Sequence, residues 1–503
     1  MIAVVLMDLV GLFAAGQSNI SCNNGSGSVV DGAACIPPVP LGPGGEPVTD
    51  SFYFVRQPLT GNGSITVRVT SLTGRYGGGY GPANAAGGAG GPGAVTGNHL
   101  GVQPWSKAGI IIKRSTGQGS AYAAMMVTGS HGVRMQYDFT GDIAGLPGAV
   151  SAASPRWLRL TRSGDTVTGY DSADGAHWTQ VGVITLAGLP ATAQIGLFAT
   201  SPAYQQLSQF FGGTTGQIGP SLATGVFDHV RLTGGRPGAW TGANVGNQGA
   251  FGPQTGQLET FRQASGRFTV TGSGDIAPQV PGGGGGGPNS TVEDHLMGAF
   301  AALIVMVVIG VMFMTAEYRR GLIRTTLAAT PRRGRVLAAK AIVIASAMFA
   351  AGLVAAVIAV VVGVRLSRDQ GTYVFPVSWL TWLRVVAGTA ALLAVATVLA
   401  LALGTMLRRS AAAVTAAIVV IVLPFILGVA GLLPFGAAQW LLRVTPAAAF
   451  AIQQSVPAYS QVTASYTPPI YFPLSPWAGF GVLCGYTALA LALAVFLLRR
   501  RDA

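Results

Sequence analysis

Four glutamates, Glu46, Glu259, Glu293 and Glu317, are all that this 503-residue chain carries of the residue type most used in paired acid/base chemistry. Glycoside hydrolysis needs two carboxylates facing each other across the scissile bond, one as acid and one as base or nucleophile. None of the four lies in the β-rich stretch 51–235, and Asp171 and Asp174 sit in a Ser-Ala-Asp-Gly turn that turn formation explains. A phosphate-binding loop needs Gly-Lys followed by Ser or Thr, because the lysine meets the β/γ-phosphates while backbone N–H groups wrap them. The three lysines, Lys107, Lys113 and Lys340, follow Ser, Ile and Ala instead. The five histidines, His99, His131, His177, His229 and His295, are scattered without ligand spacing, so no metal site is predicted. Cys22 and Cys35 flank a Gly/Ser/Asn-rich loop and are disulfide candidates, the alternative being two unpaired thiols in a linker; Cys484 lies in an apolar run as a packing residue. The chain is therefore predicted to have no catalytic residues and to bind no cofactor, any ATP and Mg²⁺ belonging to a partner subunit.

The elements that position these residues follow from composition. Half of the residues are apolar and only 9% are charged, which excludes one ordinary soluble domain. The net charge of +13 would suit nucleic acid if it were spread over a folded surface. Residues 16–295, however, hold 14 basic and 13 acidic side chains, so nearly all the excess falls elsewhere, mostly in short segments beside apolar runs. That pattern carries topology, and no nucleic-acid partner is predicted.

Five runs are long enough to cross a bilayer core, which needs about 20 residues: 296–315, 341–364, 385–407, 411–433 and 477–498, none with an acidic or basic residue. The connector 316–340 holds seven basic residues, the next connector on that side has Arg408 and Arg409, and the tail has Arg499, Arg500 and Arg501. By the positive-inside rule all three face the cytoplasm, which puts residues 17–290 outside the cell and the protein in the plasma membrane as a multi-pass chain. Residues 1–16 contain the apolar run 2–15, too short to span and lacking preceding basic residues; it reads as a first membrane helix truncated at its N-terminus, giving about six spans in all.

Residues 17–50 form a Gly/Ser/Pro linker and 236–290 a Gly-rich linker with one candidate strand, ending in a hexaglycine at 282–287. Between them, nine short runs with alternating or β-branched residues recur between turn signals: 64–71, 108–114, 121–128, 133–138, 157–161, 167–170, 178–184, 194–200 and 226–233. They predict a β-sandwich over 51–235. The fold class is thus a multi-domain membrane protein, an α-helical transmembrane bundle plus an extracellular, jelly-roll-like all-β sandwich. The segments Trp105–Arg114, Trp157–Gly182 and Gly225–Thr233 resemble the concanavalin-like lectin/glucanase sandwich. That resemblance implies a glycan partner, with Trp105, Trp157 and Trp178 as candidate stacking residues; burial in the core is the competing reading for each.

Glu317 to Thr330 reads as a short amphipathic helix stopped by Pro331, with Arg332, Arg333 and Arg335 ahead of the next span. Taken alone it serves equally as an interfacial helix on anionic headgroups. Together with the order of spans, residues 291–503 resemble the permease subunit of type-2 ATP-binding-cassette (ABC) exporters, most closely over Thr315–Lys340. In that family the segment is the coupling helix that docks into the ATPase. By position, the resemblance makes Glu317, Arg319, Arg320, Gly321, Arg324, Thr325, Pro331, Arg332 and Arg333 the docking candidates, and Trp440–Ser455 looks like the outer re-entrant segment. It also implies an ABC ATP-binding partner and a permease homodimer or heterodimer. Two other readings stand beside it: a membrane-anchored glycan-binding or sensing protein without transport activity, and an extracellular carbohydrate-active enzyme.

Overall fold

A computed structural model of the protein describes residues 40–77, 98–210, 213–234, 238–246, 259–280, 289–319, 333–369, 373–429, 432–465 and 471–500. Strands, numbered β1–β21 in chain order, fill the described residues up to 290, and helices most of those beyond. The first apolar run, 2–15, and both Cys22 and Cys35 lie outside the described residues.

One antiparallel sheet runs β16 (Thr241–Val245), β2 (Phe52–Thr60), β12 (Thr192–Thr200), β5 (Lys107–Lys113), β6 (Tyr122–Thr128), β7 (Val133–Tyr137) and β8 (Gly141–Ala144). The other runs β11 (Thr179–Thr185), β10 (Thr166–Ser172), β9 (Arg156–Ser163), β3 (Gly63–Gly77), β15 (Ser221–Thr233), β18 (Arg267–Gly272) and β17 (Thr260–Ala264), with β4 (Asn98–Leu100) on β3. In this second sheet burial alternates: Leu158, Leu160 and Arg162 of β9 point inward while Trp157, Arg159 and Thr161 do not, as a sheet with one covered face requires. The inward side chains of both sheets, among them Val55, Leu59, Ile65, Val67, Ile110 and Leu197, meet in one core. Each fully buried aliphatic contributes about 1.5–3 kcal/mol.

β5 and β6 depart from alternation, since every residue in them is buried. Their outer face carries a second core of Phe52, Phe54, Ile111, Tyr122, Phe139 and Phe198, closed by Val48 and Ile276. These two come from β1 (Val48–Asp50) and β19 (Ile276–Pro278), which pair antiparallel across that face. Within 236–290, where sequence suggested one strand, the structure places β16, β17, β18, β19 and β20 (Asn289–Ser290). The runs TGANV, TFRQA and RFTVTG are short and bordered by glycine, which masks their alternation. A hairpin of β13 (Tyr204–Phe210) and β14 (Gly213–Gly219) stands apart, and β20 pairs in parallel with β21 (Tyr373–Val374).

The helices are α1 (Gly298–Arg319), α2 (Arg333–Asp369), α3 (Trp379–Leu407), α4 (Ser410–Val429), α5 (Phe435–Val444) and α6 (Pro476–Arg500). All but α5 are apolar and long enough to cross a membrane. α3 starts at an N-cap, Ser378, whose hydroxyl accepts from the Thr381 N–H at 3.2 Å, and ends at Arg408 in the left-handed region with its N–H on the Gly404 carbonyl. It lies at the centre, against α1, α2 and α6. Small residues permit this: a Cβ on Gly352 of α2 would stand 3.3 Å from Ala390 Cα of α3, and Gly404 of α3 lies against Val311 of α1. Trp379, Trp440 and Trp477, all strongly exposed, start α3, sit in α5 and start α6, which suits the headgroup layer at one end of the bundle.

Candidate functional site

At the other end of the bundle, α1 and α2 are tied together where they leave and re-enter. Lys340, two turns into α2, donates to the Glu317 carboxylate near the end of α1. Both side chains keep partial solvent contact, 15% and 26%. The Arg408 guanidinium, beyond the end of α3, stands 5.4 Å from the centre of the Tyr318 ring. Three helices thus present Glu317, Tyr318, Lys340 and Arg408 together beside the border of the connector. Of the sequence-predicted docking residues, the structure places Glu317 in this cluster, Arg319 as the last residue of α1 and Arg333 as the first of α2. Arg320, Gly321, Arg324, Thr325, Pro331 and Arg332 lie outside the described residues. Sequence reasoning passed over Tyr318, Lys340 and Arg408 as site residues. The signal for Lys340 was present, since it is the one lysine of the apolar half and Glu317 is the acidic residue across the connector.

The end marked by the tryptophans is built differently. After α5 the chain forms a buried 3₁₀ segment, Pro446–Gln453, wedged between α3 and α6. Gly388 of α3 and Gly479 of α6 make room for it, lying against Ile452 and the Ala448 carbonyl. Polar groups hold its end: Gln453 donates to Thr389 Oγ1 at 3.1 Å, Arg384 donates to the Gln454 carbonyl, and Glu293 accepts from the Ser455 N–H at 3.0 Å. Arg384 is a charge that the apolar run 385–407 omits, because the helix begins six residues before that run.

From there the chain reaches the two-sheet region. Ser460 donates to Asp142 Oδ2 and Gln461 to the Phe139 carbonyl, both at 2.5 Å. Burial alone would raise the Asp142 carboxyl, yet the hydrogen bonds from Arg134 and Ser460 hold it below the usual range. The face of β5 and β6 above Phe139 is closed by ion pairs as well as by apolar contact. Lys107 Nζ lies 2.7 Å from Asp275 and 2.6 Å from the Ile276 carbonyl; Lys113 Nζ lies 2.7 Å from Asp50. Both lysines are completely buried. Asp50 ends β1 and Asp275 immediately precedes β19, the two strands that cover this face.

The three candidate tryptophans are not brought to one place. Trp105 is buried, stacked on His131 at 3.9 Å, with Arg134 at 5.9 Å. Trp157 and Trp178 are half-buried on the other sheet, on either side of the Gly175 turn: Gly175 lies against the Trp157 ring, and its carbonyl accepts from Trp178 Nε1 at 3.1 Å. Gly175 has φ +79, which a side chain disfavours, and a Cβ there would collide with Trp157. Asp174 and His177 close that turn by an ion pair at 2.7 Å and lie too exposed to form a catalytic pocket.

Comparison with known proteins adds one finding on family. The model of the ABC-2 family transporter protein matches residues 164–503, about two thirds of the chain. No curated protein matches. Among solved structures, a functionally unknown protein from Saccharomyces cerevisiae is similar at 14% identity and TM-score 0.21, over 37% of this chain and 76% of its own. Scytalido-glutamic peptidase is similar at 5% identity and TM-score 0.26, over 45% and 98%. A GH43 protein from Bacillus licheniformis is similar at 15% identity and TM-score 0.17, over 27% and 24%. Likenesses this slight carry no inference about chemistry.

Proposed function

The chain belongs to the ABC-2 family of transporter proteins, and from that premise we propose that it is the permease subunit of an ATP-driven exporter whose ATPase is a separate chain. One observation carries the reading: α1 and α2 are fastened by Glu317 and Lys340 at the border of the basic connector, beside Arg408. A partner pressing on that connector moves two spans and, through Tyr318 and Arg408, the central α3. ATP binding to the partner then shifts the populations of inward- and outward-open states through differential contacts at this end. The connector faces the cytoplasm, residues 17–290 lie outside the cell, and two copies of the membrane domain, or one and a related chain, enclose the path. The spans offer mostly apolar surface, which favours a hydrophobic or amphipathic cargo. Family membership favours this reading over an anchored sensing protein.

The two stacked antiparallel sheets support a concanavalin-like, jelly-roll extracellular domain with a glycan-binding role. The coupling reading is tested by copurification of the full chain with a co-expressed ABC ATP-binding subunit. Glu317→Ala with Arg320→Ala abolishes copurification if the connector is the docking segment; unchanged recovery of the ATPase overturns the assignment. Cysteine labelling at 324 from the outside of intact cells would overturn the topology.

A further inference from the structure

The face of a two-sheet domain that is free to meet a ligand is decided by what covers the other. Here the outer face of β5 and β6 is filled by β1, β19 and their ion pairs, and the neighbouring β7–β8 hairpin is held by Ser460 and Gln461. The outer face of the second sheet, on the opposite side of the domain, displays three cross-strand rows instead. In one, Ser172, Trp157, Arg68 and Asp228 are in register across β10, β9, β3 and β15. In the next, Gln180, Tyr170, Arg159, Thr66 and Arg231 are in register from β11 to β15. In the third stand Thr168, Thr161, Ser64 and Thr233. Side-chain bonds confirm that each row shares a face: Arg68 to Asp228 at 2.6 and 2.7 Å, Arg159 to Thr66 at 3.1 Å, Ser64 to Thr233 at 2.8 Å.

This face is hydroxyl-rich and its rows carry more arginine than carboxylate, with register shifts at Gly169/Tyr170 and Asp228/Arg231. Asp228 is the one acidic residue in the three rows, and its charge is taken up by the forked Arg68. Arg159 is stacked 3.8 Å from the centre of the Trp178 ring, which fixes its guanidinium plane while leaving it partly in solvent. Arg231 is exposed two strands away, about 10 Å across the sheet. The Trp157 ring carries Arg68 at 5.7 Å and His229 at 5.3 Å, and His229 is held at φ +49, an uncommon backbone for a side-chain-bearing residue. The large side chains of the rows are Trp157 and Tyr170, both half-buried, and Val183, in register with Thr168, stands exposed at the edge; the other positions bear hydroxyl, amide or charged groups.

We propose that this face binds an anionic polysaccharide, a sugar chain with a carboxylate or phosphate on its repeating units: Arg159 and Arg231 meet successive anionic groups, while Trp178, Tyr170 and the Ser64, Thr66 and Thr161 hydroxyls meet the sugar rings between them. The inference deepens the glycan-binding reading above and rests on it, moving the site from three scattered tryptophans to one sheet face and giving the ligand a charge.

The test measures binding of oligogalacturonate, neutral dextran, single-stranded DNA and phosphatidylglycerol vesicles to the full chain held in neutral-lipid nanodiscs. Oligogalacturonate is expected to bind best, at least about tenfold tighter than dextran. Arg231→Ala, at an exposed position, is expected to weaken it about tenfold and Arg159→Ala/Arg231→Ala about a hundredfold. Arg159→Lys, which keeps the charge and loses the planar stack, falls between. No oligogalacturonate binding, equal binding by the Arg231→Ala chain, or tighter binding of DNA or vesicles overturns the proposal. Dextran binding as tight as oligogalacturonate overturns it too, while leaving a neutral-glycan role standing.

Discussion

Lys113 and Asp50 form an ion pair with both side chains at 0% exposure, and its removal should cost in one order and not in another. Lys113 donates to Asp50 Oδ2 at 2.7 Å and to the Ser120 carbonyl at 3.0 Å; the Gly119 N–H adds a second bond to the same carboxylate oxygen at 2.8 Å. Burial pushes the Asp50 carboxyl up from its ordinary 3.8 and the Lys113 ammonium down from 10.5, in each case against the attraction of the partner. An acid with a raised folded pKa contributes stability fully below its ordinary value and loses it as pH rises through the folded one. A base with a lowered folded pKa contributes above its ordinary value and loses it as pH falls through the folded one. At neutral pH both shifts therefore count against the folded state. Lys113→Met leaves a carboxylate buried without its cation, at a cost of about 3–5 kcal/mol. That raises the opening constant of β5 and β6 by about two to four decades. Lys113→Met with Asp50→Leu removes both charges and should return stability to within about 1 kcal/mol of the parent, or above it. Hydrogen exchange by mass spectrometry, on peptides covering β5 and β6 in the detergent-solubilised full chain, reads all three. A double variant as labile as Lys113→Met alone, or more so, would refute the reasoning.

Two further outcomes are expected. Gly479→Ala places a methyl group against the Ala448 carbonyl, a backbone atom that cannot rotate away; it should cost about 1–3 kcal/mol and lower the apparent Tm, while Gly436→Ala, with open space around it, should not. The His177 imidazolium is held by the hydrogen bond to Asp174, so its pKa lies above the ordinary 6.5. Nuclear magnetic resonance of labelled histidine should show this titration moving down in Asp174→Asn, and an unmoved curve would show that the ion pair does not form in solution.

The five spans in the described residues were legible because a bilayer demands a long uncharged run, a signal that survives any detail of packing. The β-rich region was legible where one face is covered and residues alternate, as in β9 and β10. It was obscured in β16 and β17, whose short runs carry few buried residues, and around β1 and β19, which stand among prolines and glycines and gain their place from Lys107 and Lys113. Trp105 shows the limit at the site: its type fits a sugar platform and a core equally, and the buried stack on His131 is a tertiary fact. The pairing of Glu317 with Lys340 was half legible, since opposite charges faced each other across the connector, but only the helix packing brings them into contact.

The three lysines share one physical task. The chain has only three among thirty basic residues, and each is paired to an aspartate or glutamate at a passage between parts of the molecule. Lys113 holds Asp50, at the end of β1, where the chain enters the two-sheet region; Lys107 holds Asp275, just before β19, where it leaves; Lys340 holds Glu317, where α1 gives way to the connector. A lysine suits the two buried positions because a compact ammonium at the end of a slim stem reaches a carboxylate through an apolar layer, whereas a guanidinium would bring five donors to be satisfied there. Arg68, Arg159, Arg408 and Arg443 take another part, on the outer sheet face and at helix ends, where the guanidinium meets a carboxylate or an aromatic ring. Since β1 and β19 pair with each other, the entry and exit of the sheet region lie side by side, so both ends of its tether are fixed on the face that Ser460 and Gln461 also reach. Ser460 is thus bonded through Asp142 to the β7–β8 hairpin, and Arg134 of β7 holds the same carboxylate.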